Sequence, residues 1–292
     1  MRLLSLLILG TLDLVLFGCI HTEPSIDLST WVSQEQKEAL LAADIILLGE
    51  QHDNPQHHQI QAQIVEMLGR AGLLGDIVFE QLTWEQQPIV SSLTNRSLPQ
   101  LAESLDWDKS GWPSYAYYEP LFTAAARYRI PVIAGNIGKE KTKAIYKDGY
   151  SVAFSAAEQQ QLGLNKELEP KALAALKQEV FEGHCSMIPP DHITAMLPIQ
   201  RGRDAAMTLA WSKLHSHGKT VFIVGSGHAR KDFGIPWYLR QLHPELRIWS
   251  IGMNEKGADT DASVYDQLIT TEAAPREDPC AGLQKKFEKK AE

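Results

Sequence analysis

The sequence predicts an α/β protein: a mainly parallel sheet flanked by helices, with a helical cap. Three observations predict it. Short apolar runs rich in Ile, Val and Phe recur and stop at glycine or a polar residue, as buried strands do. Helical stretches separate these runs, and alternating strands and helices build parallel sheets covered on both faces. Polar residues suited to chemistry follow the runs at once. In an open parallel sheet that places them at the carboxyl edge, where ligands bind.

The first run is Ile45-Ile-Leu-Leu48, and Gly49 is expected to let the chain turn where the strand stops. Glu50 and His52 follow, two apart, so extended geometry points them the same way. Asn54 suits an N-cap and Pro55 the first helical position. The helix over 57–71 repeats Ile60, Ile64, Met67 and Leu68 on one face. A second strand over 76–80 delivers Glu80 and Gln81. Residues 84–93 read as helix, and Ser97 as the cap of a short helix reaching 105. Residues 107–120 read as a loop broken at Gly111 and Pro113, with helix resuming over 121–129. Strand three, over 130–134, carries Pro131 near its start and is followed by Gly135 and Asn136. The charged, alanine-rich stretch over 138–181 reads as a helical cap, which extends to about 217. Helices over 191–197 and 199–214 are expected to be separated near Pro198. Strand four, 220–224, ends in Gly225-Ser-Gly-His228; a helix over 235–242 and a strand over 247–251 complete the series.

At 292 residues and 44% hydrophobic composition, the chain can bury one large core. The reading is one domain over 31–270 and a polar tail over 271–292. A net charge of −8 without a Lys/Arg-rich run excludes nucleic acid as a partner. Residues 1–18 read as a targeting segment, with Arg2 before an apolar stretch too short to span a membrane. Leu16-Phe17-Gly18-Cys19 resembles the lipobox of bacterial lipoproteins, which implies cleavage before Cys19 and lipidation of its thiol. Residues 19–30 then form a polar tether. Ile20 is not the aspartate that retains lipoproteins at the inner membrane. The expected address is therefore the outer membrane of a Gram-negative cell, on its periplasmic side. Cys185 and Cys280 form one disulfide or remain two free thiols.

Glu50, His52, Glu80, Asn136 and His228 all follow strands and are expected to line one pocket. Gly49-Glu-Gln-His52 and Gly225-Ser-Gly-His228 share the form Gly-x-x-His. Histidine ligates metals and haem iron, and Glu50 or Glu80 can complete a metal site or act as a base. Neither spacing is a standard zinc signature. Trp107, Trp112, Tyr115, Tyr117, Tyr118 and Phe122 either hold a flat apolar ligand or pack a helix onto the sheet. Arg201 or Arg203 can meet a ligand carboxylate, and Arg201 can pair with Asp204 on the surface. His215 and His217 suit a helix C-terminus.

Taken together these motifs have a family resemblance. Leu-Leu-Gly-Glu-Gln-His-Asp-Asn-Pro, Val-Phe-Glu-Gln, Trp-Asp-Lys-Ser-Gly-Trp-Pro, Tyr118-Glu-Pro, Ala-Gly-Asn136, Gly-His-Cys185, Gln200-Arg-Gly-Arg-Asp and Gly-Ser-Gly-His228 occur in that order. The sequence resembles the ChaN family of haem-binding lipoproteins, within the Tiki/TraB-like superfamily. The resemblance implies haem as ligand, a haem-dependent homodimer with two haems stacked between the chains, and a role in haem or iron uptake. It implies a tyrosine as iron ligand; Tyr118 lies inside a matching motif, whereas the helix after Asp204 carries Trp211, His215 and His217 and no tyrosine. Trp112, His184 and Arg203 join the expected haem-site residues. The superfamily also implies an alternative: a metal-dependent hydrolase, peptidase or esterase, using His52, His228, Glu50 and Glu80.

Overall fold

A computed structural model describes residues 31–95, 97–277 and 280. The targeting segment, Cys19, the whole tether and residues 278–279 and 281–292 lie outside the described residues. No helix among the described residues is long and apolar enough to cross a membrane.

The described residues form a six-stranded, all-parallel sheet in the order β3-β2-β4-β1-β5-β6. Helix α1 (Gln34–Ala42) leads into β1 (Ile45–Glu50), and α2 (Pro55–Arg70) carries the chain to β2 (Leu74–Thr83). The short helices α3 (Gln87–Ser91), α4 (Leu101–Ser104) and α5 (Trp107–Ser110) precede α6 (Tyr115–Tyr128) and β3 (Val132–Asn136). The cap follows as α7 (Lys139–Asp148), α8 (Ala156–Gln161), α9 (Pro170–Gly183) and the first half of α10 (Pro190–Leu214). Then come β4 (Lys219–Gly225), α11 (Ser226–Ala229), α12 (Ile235–Leu242), β5 (Ile248–Glu255) and β6 (Gln267–Thr271).

Alternation along the strands divides the core. Ile46 and Leu48 of β1, with Ile77, Phe79 and Ile223, pack against α2 and α6 through Ile60, Ile64, Leu121 and Phe122. Ile45 and Leu47, with Val78, Phe222 and Val224, face α10 and α12 through Met207, Trp211, Ile235 and Leu239. Strands β1, β4 and β2 are neighbours at the centre, although β4 comes late in the chain. The chain runs outward from β2 to β3, returns to insert β4, then runs outward again through β5 and β6. That reversal brings three strand ends together and opens a crevice at the carboxyl edge.

The strands and helices read from the sequence are present, with corrections. Gly49 sits inside β1 rather than at a turn. It is glycine because a Cβ there would lie 2.8 Å from the Ala229 methyl and 2.9 Å from the Ser226 Cα. Strand β2 runs past Glu80 to Thr83. Helix α6 begins at Tyr115, capped by Ser114, within the stretch expected to be loop. The two helices expected around Pro198 are one, α10, because the packing of Leu197 and of residues 202–211 outweighs the proline's cost. Strand β6 was not foreseen; it is a five-residue edge strand with little apolar patterning. Cys185 and Cys280 are joined by a disulfide. The tail is not simply solvated up to Cys280. The carbonyl of Glu272 accepts from the Asn54 amide, and Arg276 pairs with Asp53 at 2.6 Å and with Glu255.

Candidate ligand-binding site

The ends of β1, β2 and β4 carry a buried cluster of charge. Glu50 is 1% exposed, and its Oε1 accepts from the Tyr118 hydroxyl at 2.7 Å, from Gln81 Nε2 at 3.1 Å and from His52 Nδ1 at 2.8 Å. His58, from the second turn of α2, donates Nε2 to the His52 carbonyl at 2.8 Å and places Nδ1 3.3 Å from Glu50 Oε2. Glu80 Oε1 faces Arg203 at 2.5 Å and His228 Nε2 at 3.2 Å, while its Oε2 accepts the Gly225 amide at 2.7 Å. His228 Nδ1 lies 2.6 Å from Asp204 Oδ1, so this ring is held between two carboxylates.

The electrostatics follow from burial set against these pairs. Burial pushes the His228 ring towards neutrality, but the charges of Glu80 and Asp204 outweigh it and raise its pKa to about 10. Burial would likewise raise Glu80; His228 and Arg203 instead hold its carboxyl well below the usual range. Asp204 goes the other way, raised by burial despite His228. For His52, burial is outweighed by the hydrogen bond its ring donates to Glu50 and by the charge of Glu80, and its pKa is raised. Glu179, on α9, is pushed up to about 7 by burial, against the pull of Arg230 and His228.

An open cavity of about 430 Å³ lies over this cluster. Glu50, His52, Glu80 and His228 form its floor, and Arg203, Gln200, Glu179 and His184 come from the cap helices. A broader groove of about 990 Å³ adjoins it, sharing Glu80 and Arg203; Trp112, Asn136, Ile137 and Ile199 are among its walls. Asn136 therefore sits on the expected edge but in the neighbouring groove, where its Nδ2 donates to the Glu80 carbonyl.

Other expected residues fall elsewhere. Tyr118 is fully buried beneath the floor, and the phenol expected as an iron ligand is committed to Glu50. Trp107, Tyr115 and Phe122 pack on one another in the core, so most of the aromatic stretch fastens α6 to the sheet. Trp112 remains at the site, edge-on to His52 at 4.9 Å. Arg201 is tied to the Tyr238 hydroxyl and to the carbonyls of Gly163 and Lys166, which leaves Arg203 as the arginine of the cavity. Asp204 is buried against His228 instead of pairing with Arg201 on a surface. His215 binds Asp76 at the start of β2, on the opposite edge of the sheet. The residues not foreseen are His58, Glu179 and Gln200. The histidine pair after Asn54-Pro55-Gln56 is visible in the sequence, but its spacing does not mark His58 as a site residue, and nothing local marks Glu179.

His52, His228, Glu50 and Glu80 do not fit a metal. Both nitrogens of His228 already face carboxylates. Among the described residues no group of three or more His, Cys, Asp or Glu is arranged to hold a metal ion.

An all-parallel α/β sheet, with a capped cavity at the reversal of its strand order, defines a ligand-binding α/β protein. The comparisons make this specific: residues 37–239 match the family described as haem-binding uptake, Tiki superfamily, ChaN, and the chain belongs to that family. Its fold is similar to that of ChaN of Campylobacter jejuni, a structure described as binding haem cofacially. The two share 20% identity over 80% of this chain and 89% of that one, with a TM-score of 0.60. Weaker likenesses include a Bacillus cereus protein at 14% identity, covering 76% of this chain and 68% of that one, with a TM-score of 0.38. An erythromycin esterase matches at 11% identity over 86% and 81% of the two chains, with a TM-score of 0.44. No curated protein matches the sequence.

Proposed function

We propose that this chain is a haem-binding lipoprotein of haem or iron uptake, anchored to the outer membrane through Cys19 and facing the periplasm. The observation that carries the haem reading is the open cavity over the strand ends, in a chain of a haem-binding family. The donor set fits the molecule. Haem is an apolar disc with two carboxylates and one or two iron-ligand positions. Arg203 offers a guanidinium to a propionate, Trp112, Ile137 and Ile199 offer apolar contact, and His184 offers a ring nitrogen. Haem is cargo here; when bound it supplies an iron that accepts ligands from the protein.

Both cavities open to solvent, and a haem held there would leave part of its disc exposed. An exposed apolar disc in water favours pairing with a second copy. We therefore propose that two haem-loaded chains pair face to face. The test is a ferric haem titration followed by absorbance and by sedimentation. The expected result is saturation at one haem per chain with the mass doubling in step. A saturating band with monomeric mass removes the dimer and leaves haem binding; no band removes both. Mass spectrometry of the mature protein is expected to find a lipid adduct that Cys19→Ser abolishes.

A further inference from the structure

The carboxyl edge of the sheet carries the cavity and groove described above. The amino edge carries another groove, of about 500 Å³, beside the edge strand β3. Its walls come from α3 and the loop after it, from the end of α6, from the first residues of β3 and from Leu214, the last residue of α10. The groove touches both halves of the core. Val90, Ala125, Ile130 and Val132 belong to the half under α2 and α6, and Ile133 to the half under α10.

Local folding explains why the space is there. Helix α6 ends at Tyr128, and Arg129 takes the left-handed conformation, at φ 57°, that closes the helix. The Ile130 amide donates back to the Ala125 carbonyl at 2.8 Å, and the exposed Pro131 leads into β3. On the outer side, α3 is fastened to β3 through Gln87. Its Nε2 donates to the Val132 carbonyl at 2.9 Å, and its Oε1 accepts the Ala134 amide at 2.7 Å. Those are backbone groups that an added strand would need, so Gln87 blocks an extended peptide from pairing along β3 there.

The lining has the character of a small-molecule site, mainly apolar with few polar groups. Leu214 is 49% exposed, an apolar side chain left uncovered on the rim. Arg129 is the one charged residue of the lining among the described residues. It is exposed, and no carboxylate among the described residues pairs with its guanidinium, whereas its neighbour Arg127 is paired with Glu66. An apolar trough with one unpaired guanidinium on its rim is complementary to an apolar chain that ends in a carboxylate.

We propose that the groove at the amino end of β3 binds a single-chain fatty acid, with the acyl chain along the apolar walls and the carboxylate on Arg129. The site lies on the opposite edge of the sheet from the haem reading and does not depend on it.

The test uses the mature chain from residue 19 onward, produced without its lipid and without detergent, titrated calorimetrically with dodecanoate below its micelle concentration. Saturation at one dodecanoate per chain is expected. Decanoate should bind more weakly, by about threefold to fourfold for each methylene removed. Arg129→Glu should weaken dodecanoate at least about tenfold and leave dodecanol unchanged, because only the carboxylate meets that side chain. Leu214→Gln, at an exposed helix end, should weaken dodecanoate and dodecanol alike by about threefold. In methyl spectra, dodecanoate should shift Ile130, Val132 and Leu214 and leave Ile137 and Ile199 unmoved. An absence of saturable binding overturns the site. Dodecanoate affinity unchanged in Arg129→Glu overturns the carboxylate seat and with it the ligand class. Shifts confined to Ile137 and Ile199, or displacement of dodecanoate by haem one for one, would place the fatty acid in the groove at the carboxyl edge and overturn a separate site. A chain that binds dodecanoate in this way but shows no haem band loses the haem reading and keeps this one.

Discussion

His228 is a buried cation only because Glu80 and Asp204 flank it, and the arrangement can be tested through pH. Its folded pKa of about 10 lies above the ordinary 6.5. A raised pKa contributes stability that is complete below about 6.5 and is lost as pH rises through about 10. Unfolding free energy should therefore fall steadily over that alkaline range. Glu80→Gln removes one carboxylate and leaves His228 and Arg203 facing each other. Losing one partner of a buried pair costs about 3–5 kcal/mol. The variant should be destabilised by that order at pH 6 in urea unfolding, and its stability should depend less on pH above 7. An alkaline slope as steep as the wild type's would mean that His228 is not the titrating group.

The two Gly-x-x-His elements owe their glycines to crowding between elements. Helix α11 folds back over β1 immediately after β4, bringing Ser226 and Ala229 against Gly49. The neighbours are backbone and a short side chain, which cannot swing aside. Gly49→Ala should cost about 1–3 kcal/mol, the usual penalty of overpacking. It should also disturb Glu50 and His52, which follow directly. The check is a thermal melt together with the chemical shifts of the His52 ring. Gly225 has the same logic with a different neighbour, since its missing Cβ leaves room for the His52 ring.

Across the whole molecule, Cys185–Cys280 links residues 95 apart and joins the cap to the chain's last described residue. A cross-link closing a loop of that length removes much denatured-state entropy, and native disulfides of this kind contribute about 2–4 kcal/mol. Cys280→Ser should lower the urea midpoint by a corresponding amount. A reductant should bring the wild type to the same value and leave the variant unmoved. An unchanged midpoint would show that packing of the cap alone holds it in place.

Much of this was local and so legible in the chain itself. Apolar runs, helical spacing and the Asn54-Pro55 cap are short-range signals, and they determined an α/β sheet with its polar residues gathered at one edge. The motifs at Glu50, Glu80, Asn136 and His228 were legible for the same reason, because they sit at strand ends, while the others lie on or beside α5, α6, α9 and α10. What the tertiary structure alone decided depends on contacts between distant residues. The insertion of β4 between β2 and β1 brings Glu80 to His228 across 148 positions. Packing of α10 buries Asp204 on His228 and turns Arg201 away. The fit of α6 against the sheet seals Tyr118 under Glu50 instead of presenting it to a ligand. Period and propensity determine which way a side chain points from its own strand or helix. Only the assembled core determines what it meets there, because burial and partners are set by elements far away in sequence.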